Sequence, residues 1–150
     1  MRRKQKAVKA PRSSIQDQFL FACRDGDLNK VNELFTNGIQ VNQATDKGTT
    51  PLNFACQNGH SKVVEMLLAV DGIQVNQANI NGFTPLNTAC DKGHSKVVKM
   101  LLAVDGIQVN QANDRGTTPL KIACQNGHSK LLEMLLAVDG IQVNQATNKG

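Results

Sequence analysis

The chain has 150 residues, of which 40% are hydrophobic and 19% charged, enough apolar material for one packed domain. It contains no run of about 18 apolar residues, and its basic start lacks the apolar core of a secretion signal, so we expect neither a membrane span nor a secretory leader. With five Phe and no Trp or Tyr, a base-stacking nucleic-acid platform is disfavoured. Four cysteines without a secretion signal indicate reduced thiols in the cytoplasm or nucleus.

The net charge of +5 is concentrated at the N-terminus. Residues 2–12 hold six basic side chains and no acid, whereas the rest of the chain carries eleven basic and twelve acidic residues. Because a duplex-binding fold needs its basic excess on the folded surface, DNA binding by the body of the chain is disfavoured. We predict a disordered basic tail over residues 1–14. The tail is a solubilising end, a nuclear-import address, or an electrostatic tether to nucleic acid or an anionic membrane.

The remainder of the chain, residues 15–150, is predicted to be an array of similar units. Three segments of 34 residues align without gaps, namely 46–79, 80–113 and 114–147. The first and third of these agree at 28 positions. A degenerate unit over 15–45 precedes them, and residues 148–150 begin another copy. Self-similarity at this period is typical of solenoids, in which each unit stacks only on its neighbours.

Each unit is predicted to contain two short helices. Thr50 and Pro51 open the first helix, because Thr caps free N–H groups and Pro needs no donor at the first position. Gly59 ends this helix in a left-handed conformation, and Ser61 is predicted to cap the second helix. The apolar stripes that should be buried are Leu52, Ala55 and Cys56 on the first helix, and Val63, Val64, Leu67 and Leu68 on the second.

The unit closes with a loop. Asp71-Gly72 is predicted to terminate the second helix, residues 73–75 to form a short extended piece, and residues 45–48 to form a turn with Gly at its end. Helices of about seven to ten residues are unstable alone, so neighbouring units must support one another.

The segment from Thr50 to His60, TPLNFACQNGH, followed by the Val and Leu pairs and by Val75-Asn76, resembles the ankyrin repeat. The resemblance covers residues 17–147 and implies an all-α solenoid of helix-turn-helix units with β-hairpin-like loops. It also implies a non-enzymatic scaffold that binds a protein partner, with no cofactor and no small-molecule substrate. Because fold analogy is weak support for function, the partner stays unidentified.

Two departures from the family pattern have structural consequences. Asn53, Asn87 and Lys121 replace the His of the family's Thr-Pro-Leu-His motif, which implies weaker hydrogen bonding between units. Each unit is also one residue longer than usual at Val70-Asp71-Gly72 and its copies, which predicts a small bulge in the loop.

A Cys and a His recur four residues apart, as in Cys56 and His60. Such a pair could be a nucleophile with its base, or half of a zinc site. However, packed helices lie about 8–10 Å apart, too far for two pairs to share one tetrahedral ion, and Asp27 replaces the His in the first unit. We therefore predict no catalytic residue and no metal ligand. The Cys should be a buried apolar residue, and the His should bond local backbone.

An Asn follows Val in every unit, at positions 42, 76, 110 and 144. Its side chain is predicted to stabilise the adjoining loop by bonding backbone groups. The resemblance additionally implies that Asn76 and Asn110 could be hydroxylated by an asparaginyl hydroxylase.

Partner recognition is expected where the units differ from one another. The resemblance places the turn tips and first helices on a concave binding face. Ile80 and Phe83 are the sharpest candidates, since neighbouring units hold Asp and Thr there. The full predicted set is Asp46, Lys47, Thr49, Phe54, Ile80, Asn81, Phe83, Thr88, Asp114, Arg115, Thr117 and Ile122. The alternative is drift without function after a recent duplication.

The last unit is predicted to leave an apolar side uncovered, because such arrays need a polar cap. The residues concerned are Leu131, Leu132, Leu135 and Leu136. Either the natural protein is longer, so that the chain is a regulatory fragment of it, or this end associates with itself.

Overall fold

The computed structural model describes residues 13–144, which form a stack of four helix pairs. The helices are α1 (Ile15–Asp25), α2 (Leu28–Phe35), α3 (Pro51–Gln57), α4 (Ser61–Leu68), α5 (Pro85–Lys92), α6 (Ser95–Leu102), α7 (Pro119–Gln125) and α8 (Ser129–Leu136). The described residues contain no strand, and the predicted all-α solenoid is confirmed. None of these helices is long and apolar enough to cross a bilayer. Of the predicted tail, residues 1–12 lie outside the description, while Ser14 caps α1.

The first helix of each 34-residue unit begins as predicted. Thr50 lies at the N-cap of α3, its side chain accepts a hydrogen bond from the backbone N–H of Asn53, and Pro51 fills the first helical position. The second helix begins differently, because His60 is the N-cap of α4 and its side chain makes no capping bond. The prediction that Ser61 caps this helix is therefore wrong, since Ser61 is its first helical residue.

The second helix also ends earlier than predicted. α4 stops at Leu68, and the next residues turn back on themselves, with Ile73 N–H donating to Val70 C=O at 3.2 Å. Residues 73–75 do not form a strand. The turn at 45–48 forms as predicted, closed by a 2.8 Å bond from Gly48 N–H to Thr45 C=O.

The helix pairs pack on one another in sequence, and the first helices lie closer to one another than the second helices do. Ala55 and Cys56 of the first helix and Val64 and Leu67 of the second are fully buried. Following the ankyrin resemblance, we call the side of the first helices and turn tips the concave face, and the side of the second helices the convex face. The predicted stripes are buried except for Leu68, which is half-buried.

The last helix pair is better closed than the sequence predicts. Leu131 and Leu135 are buried, and Leu132 is half-buried, so these three side chains do not form an open apolar surface. Leu131 and Leu135 are as buried as Val97 and Leu101, which occupy the same positions in the preceding unit. Leu136 alone of the four is exposed, at 53%. Self-association through this end stays a prediction.

The side chain of the recurring Asn forms hydrogen bonds to the next unit. Asn76 donates from Nδ2 to Gly106 C=O and accepts at Oδ1 from Gln108 N–H, both at 2.9 Å. Asn42 and Asn110 make the same pair of bonds 30 and 32 residues further along the chain. The predicted bonding to backbone is confirmed, and the loop that receives it belongs to the following unit.

The side chain of the recurring His forms a hydrogen bond to the preceding unit. His94 Nε2 lies 3.0 Å from Gln57 C=O, and because a carbonyl oxygen only accepts, the ring nitrogen donates. The predicted bond to local backbone is wrong, since the acceptor lies 37 residues earlier. Gly59 makes room for this contact: a Cβ there would lie 2.6 Å from the His94 ring, and its φ of +71° favours glycine.

The Asn that replaces the family's motif His bonds within its own unit. Asn87 Nδ2 donates to Gln111 C=O at 3.2 Å, and its Oδ1 accepts from the Thr84 hydroxyl at 2.6 Å. Asn87 therefore ties the start of α5 to the loop that closes the same unit.

Candidate partner-binding surface

The predicted binding residues fall into three classes of exposure. Those at the extreme turn tips are exposed: Asp46, Lys47, Ile80, Asn81, Asp114 and Arg115. Those at the inner ends of the tips and on the first helices are half-buried: Thr49, Phe54, Phe83 and Thr88. The remaining two are buried, Thr117 at 8% and Ile122 at 4% exposure.

The burial of Thr117 and Ile122 corrects the prediction that both contribute to a binding face. Ile122 belongs to the hydrophobic core. Thr117 closes the last turn, where its C=O accepts from Asn113 N–H and its N–H donates to Asn113 Oδ1, both at 3.0 Å. Neither side chain offers a partner an accessible surface.

The turn tips form a row that is held by backbone bonds. Ile80 N–H donates to Lys47 C=O at 3.0 Å, and Asp114 N–H donates to Asn81 C=O at 3.1 Å. The tip of unit 80–113 is further fixed by Asn79, whose Oδ1 accepts from the N–H groups of Asn81 and Phe83. Ile80 lies on this row with 61% of its surface exposed. It therefore presents an apolar side chain to solvent from a backbone that is held in place.

A hollow of about 150 Å³ lies between the concave surfaces of units 46–79 and 80–113. Its lining brings together three predicted residues and five others: Thr49, Phe83 and Thr88, with Asn53, Gln57, Asn79, Asp91 and Lys92. Phe83 packs against the core and is half-buried, which corrects its expected place at a solvent-facing tip. Asp91 and Lys92 form an exposed ion pair of 3.1 Å.

The wall of the hollow contains a polar atom without a partner. Asn53 is only 2% exposed, and among the described residues its Oδ1 makes no hydrogen bond. Because this atom is itself buried, it is not part of the surface that the hollow presents. The hollow therefore combines an aromatic wall with an ion pair.

One exposed aromatic residue was missed by the sequence prediction. Phe21 on α1 is 45% exposed, and the guanidinium of Arg24 lies 4.8 Å from the centroid of its ring. The alignment of Phe21 with Phe54 was the signal that could have identified it. Phe21 occupies on α1 the position that Phe54 occupies on α3.

Three of the recurring cysteines are buried and one is exposed. Burial raises the pKa of Cys23 and of Cys90 to about 12, and it raises the pKa of Cys56 as well, so their thiols stay protonated. Cys124 is exposed, so the prediction that it is buried is wrong. It is exposed because no further helix pair covers α7 within the described residues. Across residues 13–144, no group of three or more His, Cys, Asp or Glu side chains could hold an ion.

Comparison with known proteins gives matches along almost the whole array. The family model described as Ankyrin repeats (3 copies) matches residues 19–113 and 79–147. Myotrophin of Xenopus tropicalis is 40% identical over 52 residues, which are 35% of this chain and 44% of that protein. Osteoclast-stimulating factor 1 of Xenopus laevis is 38% identical over 56 residues, 37% of this chain and 26% of that protein.

A third relative is a larger enzyme. The eye-specific diacylglycerol kinase of Drosophila melanogaster is 34% identical over 53 residues, 35% of this chain and 4% of that protein. The chain thus spans less than half the length of each of these three relatives.

Proposed function

This chain belongs to the ankyrin repeat family, and we propose that it binds a protein partner on its concave face, around the junction of units 46–79 and 80–113. Ankyrin repeats generally mediate protein–protein binding and are not themselves enzymes. The kinase activity of the enzyme relative does not transfer to this chain, because the match covers 4% of that protein.

The observation that carries the proposal is where two successive units differ. Units 46–79 and 80–113 differ at seven positions, and none of the residues concerned is buried in either unit. In the second of these units they are Ile80, Asn81, Phe83, Thr88, Asp91, Lys92 and Lys99. The first six lie on the turn tip or the first helix, and four of them line the hollow. The unit has diverged mainly where a partner on the concave face would touch it.

The chemistry of the site indicates what the partner must offer. Ile80 and Phe83 present apolar surface on a fixed backbone, so an apolar side chain of the partner can bury against them with little loss of conformational freedom. A protein segment with an apolar anchor side chain satisfies this requirement.

The test is affinity capture with the variant Ile80→Asp, compared quantitatively by mass spectrometry with the parent. Asp occupies the equivalent position in both neighbouring units, at 46 and 114, so the fold tolerates it. Lys62→Glu on the convex face is the matched control, since it too changes one exposed side chain to an acid. We expect a protein that is retained by parent and control and lost by Ile80→Asp. With that protein purified, its affinity should fall about 30-fold.

Equal capture of every retained protein by Ile80→Asp and by Lys62→Glu would remove this face from the binding site. Circular dichroism melting of both variants establishes that they are folded.

A second candidate rests on the charge distribution. Six basic residues lie within residues 2–12, while the rest of the chain is near neutral, so the N-terminus could tether the array electrostatically to nucleic acid or an anionic membrane. Deleting residues 1–12 separates the two functions. A tether loses its salt-dependent binding on this deletion, whereas binding on the concave face is retained.

A further inference from the structure

We propose that a groove on the convex face, between α6 and α8, binds an acidic amphipathic segment of a protein. The site is separate from the concave face and does not depend on it. The inference rests on the shape of the groove, on its charge, and on one difference between successive units.

The groove has an apolar floor and a basic rim. It encloses about 580 Å³, a volume large enough for several side chains. Leu102, Met134 and Val138 are half-buried along its lining. Three exposed lysines of the same lining surround them: Lys96 and Lys99 from α6, and Lys130 from α8.

Within residues 13–144, none of the three lysines forms an ion pair. Glu133 lies three residues after Lys130 on α8, but the two side chains do not pair. One unit earlier, Lys62 pairs with Glu65 at 3.3 Å. Lys99 stands where Glu65 and Glu133 stand in the neighbouring units, so this single change removes the carboxylate and adds a third positive charge.

The basic rim is unusual for this chain. Residues 13–150 carry eleven basic and twelve acidic side chains, so three lysines without an ion pair around one groove are a local concentration of charge. Lys99 is also the one residue among the seven unit differences that lies on the convex side. A complementary ligand would therefore carry negative charge, and its apolar side chains would lie on the floor of the groove.

A peptide segment fits these features better than a membrane does. The apolar residues of the floor are recessed between two helices, so they cannot insert into a bilayer, whereas side chains of a peptide can enter the groove. An amphipathic helix presents apolar residues at spacings of three and four, with flanking positions free for Asp or Glu. Such a helix can fill the floor while its carboxylates meet Lys96, Lys99 and Lys130.

The test uses a defined probe and the full chain. A fluorescent helical peptide with Leu along one face and Glu at the flanking positions is titrated, beside a peptide in which every Glu is replaced by Lys. We expect the acidic peptide alone to bind, with an affinity that falls as salt is added. Amide shifts on binding should localise to residues 95–102 and 130–138.

Variants of the chain sharpen the test. Lys99→Glu restores the residue of both neighbouring units, so it should fold normally and weaken binding of the acidic peptide about tenfold. Met134→Gln should weaken it by removing apolar floor, and melting curves check its fold. Lys62→Glu, which does not line the groove, and Ile80→Asp on the concave face should both bind as the parent does. Loss of partner capture by Ile80→Asp with unchanged peptide binding separates the two surfaces.

Four outcomes would overturn the proposal. They are equal binding of the acidic peptide by Lys99→Glu and parent, equal binding of the basic peptide, no binding of the acidic peptide, and preferential binding to phosphatidylserine vesicles over the peptide. The last of these would assign the lysines to a membrane surface.

Discussion

Units 80–113 and 114–147 both derive from the pattern of unit 46–79, but they have changed in different places. Unit 80–113 differs from it at seven positions, all exposed or half-buried. Unit 114–147 differs at six, and among these Leu131 replaces Val63 in the core and Ile122 is buried where Phe54 is half-buried. The middle unit differs only at exposed and half-buried positions, whereas the last unit also differs at two positions that are buried in it, 122 and 131.

This contrast follows from the neighbours of each unit. A middle unit has neighbours on both sides, so its core positions are fixed by helices on either side and its surface is free to vary. In the last unit Leu132 is half-buried where Val64 and Val98 are buried, and Cys124 is exposed. The array therefore combines a middle unit with a variable surface and an end unit whose core is more open.

The largest expected effect comes from breaking the core of the middle unit. Leu101→Ala should lower the free energy of unfolding by about 2–5 kcal/mol, because Leu101 is fully buried and its truncation leaves a cavity. Leu136→Ala is the matched control, since Leu136 is 53% exposed and should lose less than about 1 kcal/mol. Urea denaturation measures both. A similar loss for the two variants would contradict the description of a continuous buried core.

An intermediate effect is expected from breaking a junction between units. Asn76→Ala removes two hydrogen bonds to the next unit and should lower the free energy of unfolding by about 1–2 kcal/mol. Asn144→Ala is the control, since Asn144 is exposed and no loop of a following unit meets it within residues 13–144. Thermal melting should separate the two variants. An unchanged melting temperature for Asn76→Ala would show that these bonds do not hold the stack together.

Thiol modification is expected to have the smallest effect on stability. It also probes the end unit directly. Cys124 is exposed, whereas Cys90, at the same unit position, is buried and has a pKa of about 12. In the native protein at pH 8, a thiol reagent should react rapidly with Cys124, and with Cys23, Cys56 and Cys90 only after denaturation. Mass spectrometry of the peptides identifies the sites. Equal rates at Cys90 and Cys124 would mean that the middle and end units are equally open.

The local parts of the fold could be predicted because they depend on neighbours in sequence. Thr50 caps α3 and Pro51 starts it, as the Thr-Pro pair predicts. The buried stripes follow from apolar spacing of three and four residues, which places Leu52, Ala55 and Cys56 on one side of a helix. Turn tips that include Ile80 and Asn81 were predicted to be exposed, and they are. Their role in binding a partner stays a prediction.

Other features could not be predicted, because they depend on which groups meet across the stack. The presence of Asn and His indicates that their side chains form hydrogen bonds. Their acceptors lie 30 to 37 residues away in the sequence, so only the stacking of units determines which carbonyl groups they are. Phe83 and Ile122 occupy positions that vary between units, yet both contact the core. In the sequence, Lys99 is recognisable only as a Lys where the neighbouring units have Glu. It lines a groove because α8 lies beside α6.

The sequence by itself determined the number of units, the helix type, the turn chemistry and the residues that must be buried, because hydrophobic period and capping act over a few residues. Tertiary structure alone decided which carbonyl each Asn and His reaches, and which variable side chains face outwards. It also decided where a basic groove forms, because these properties arise where residues that are far apart in the sequence meet between units.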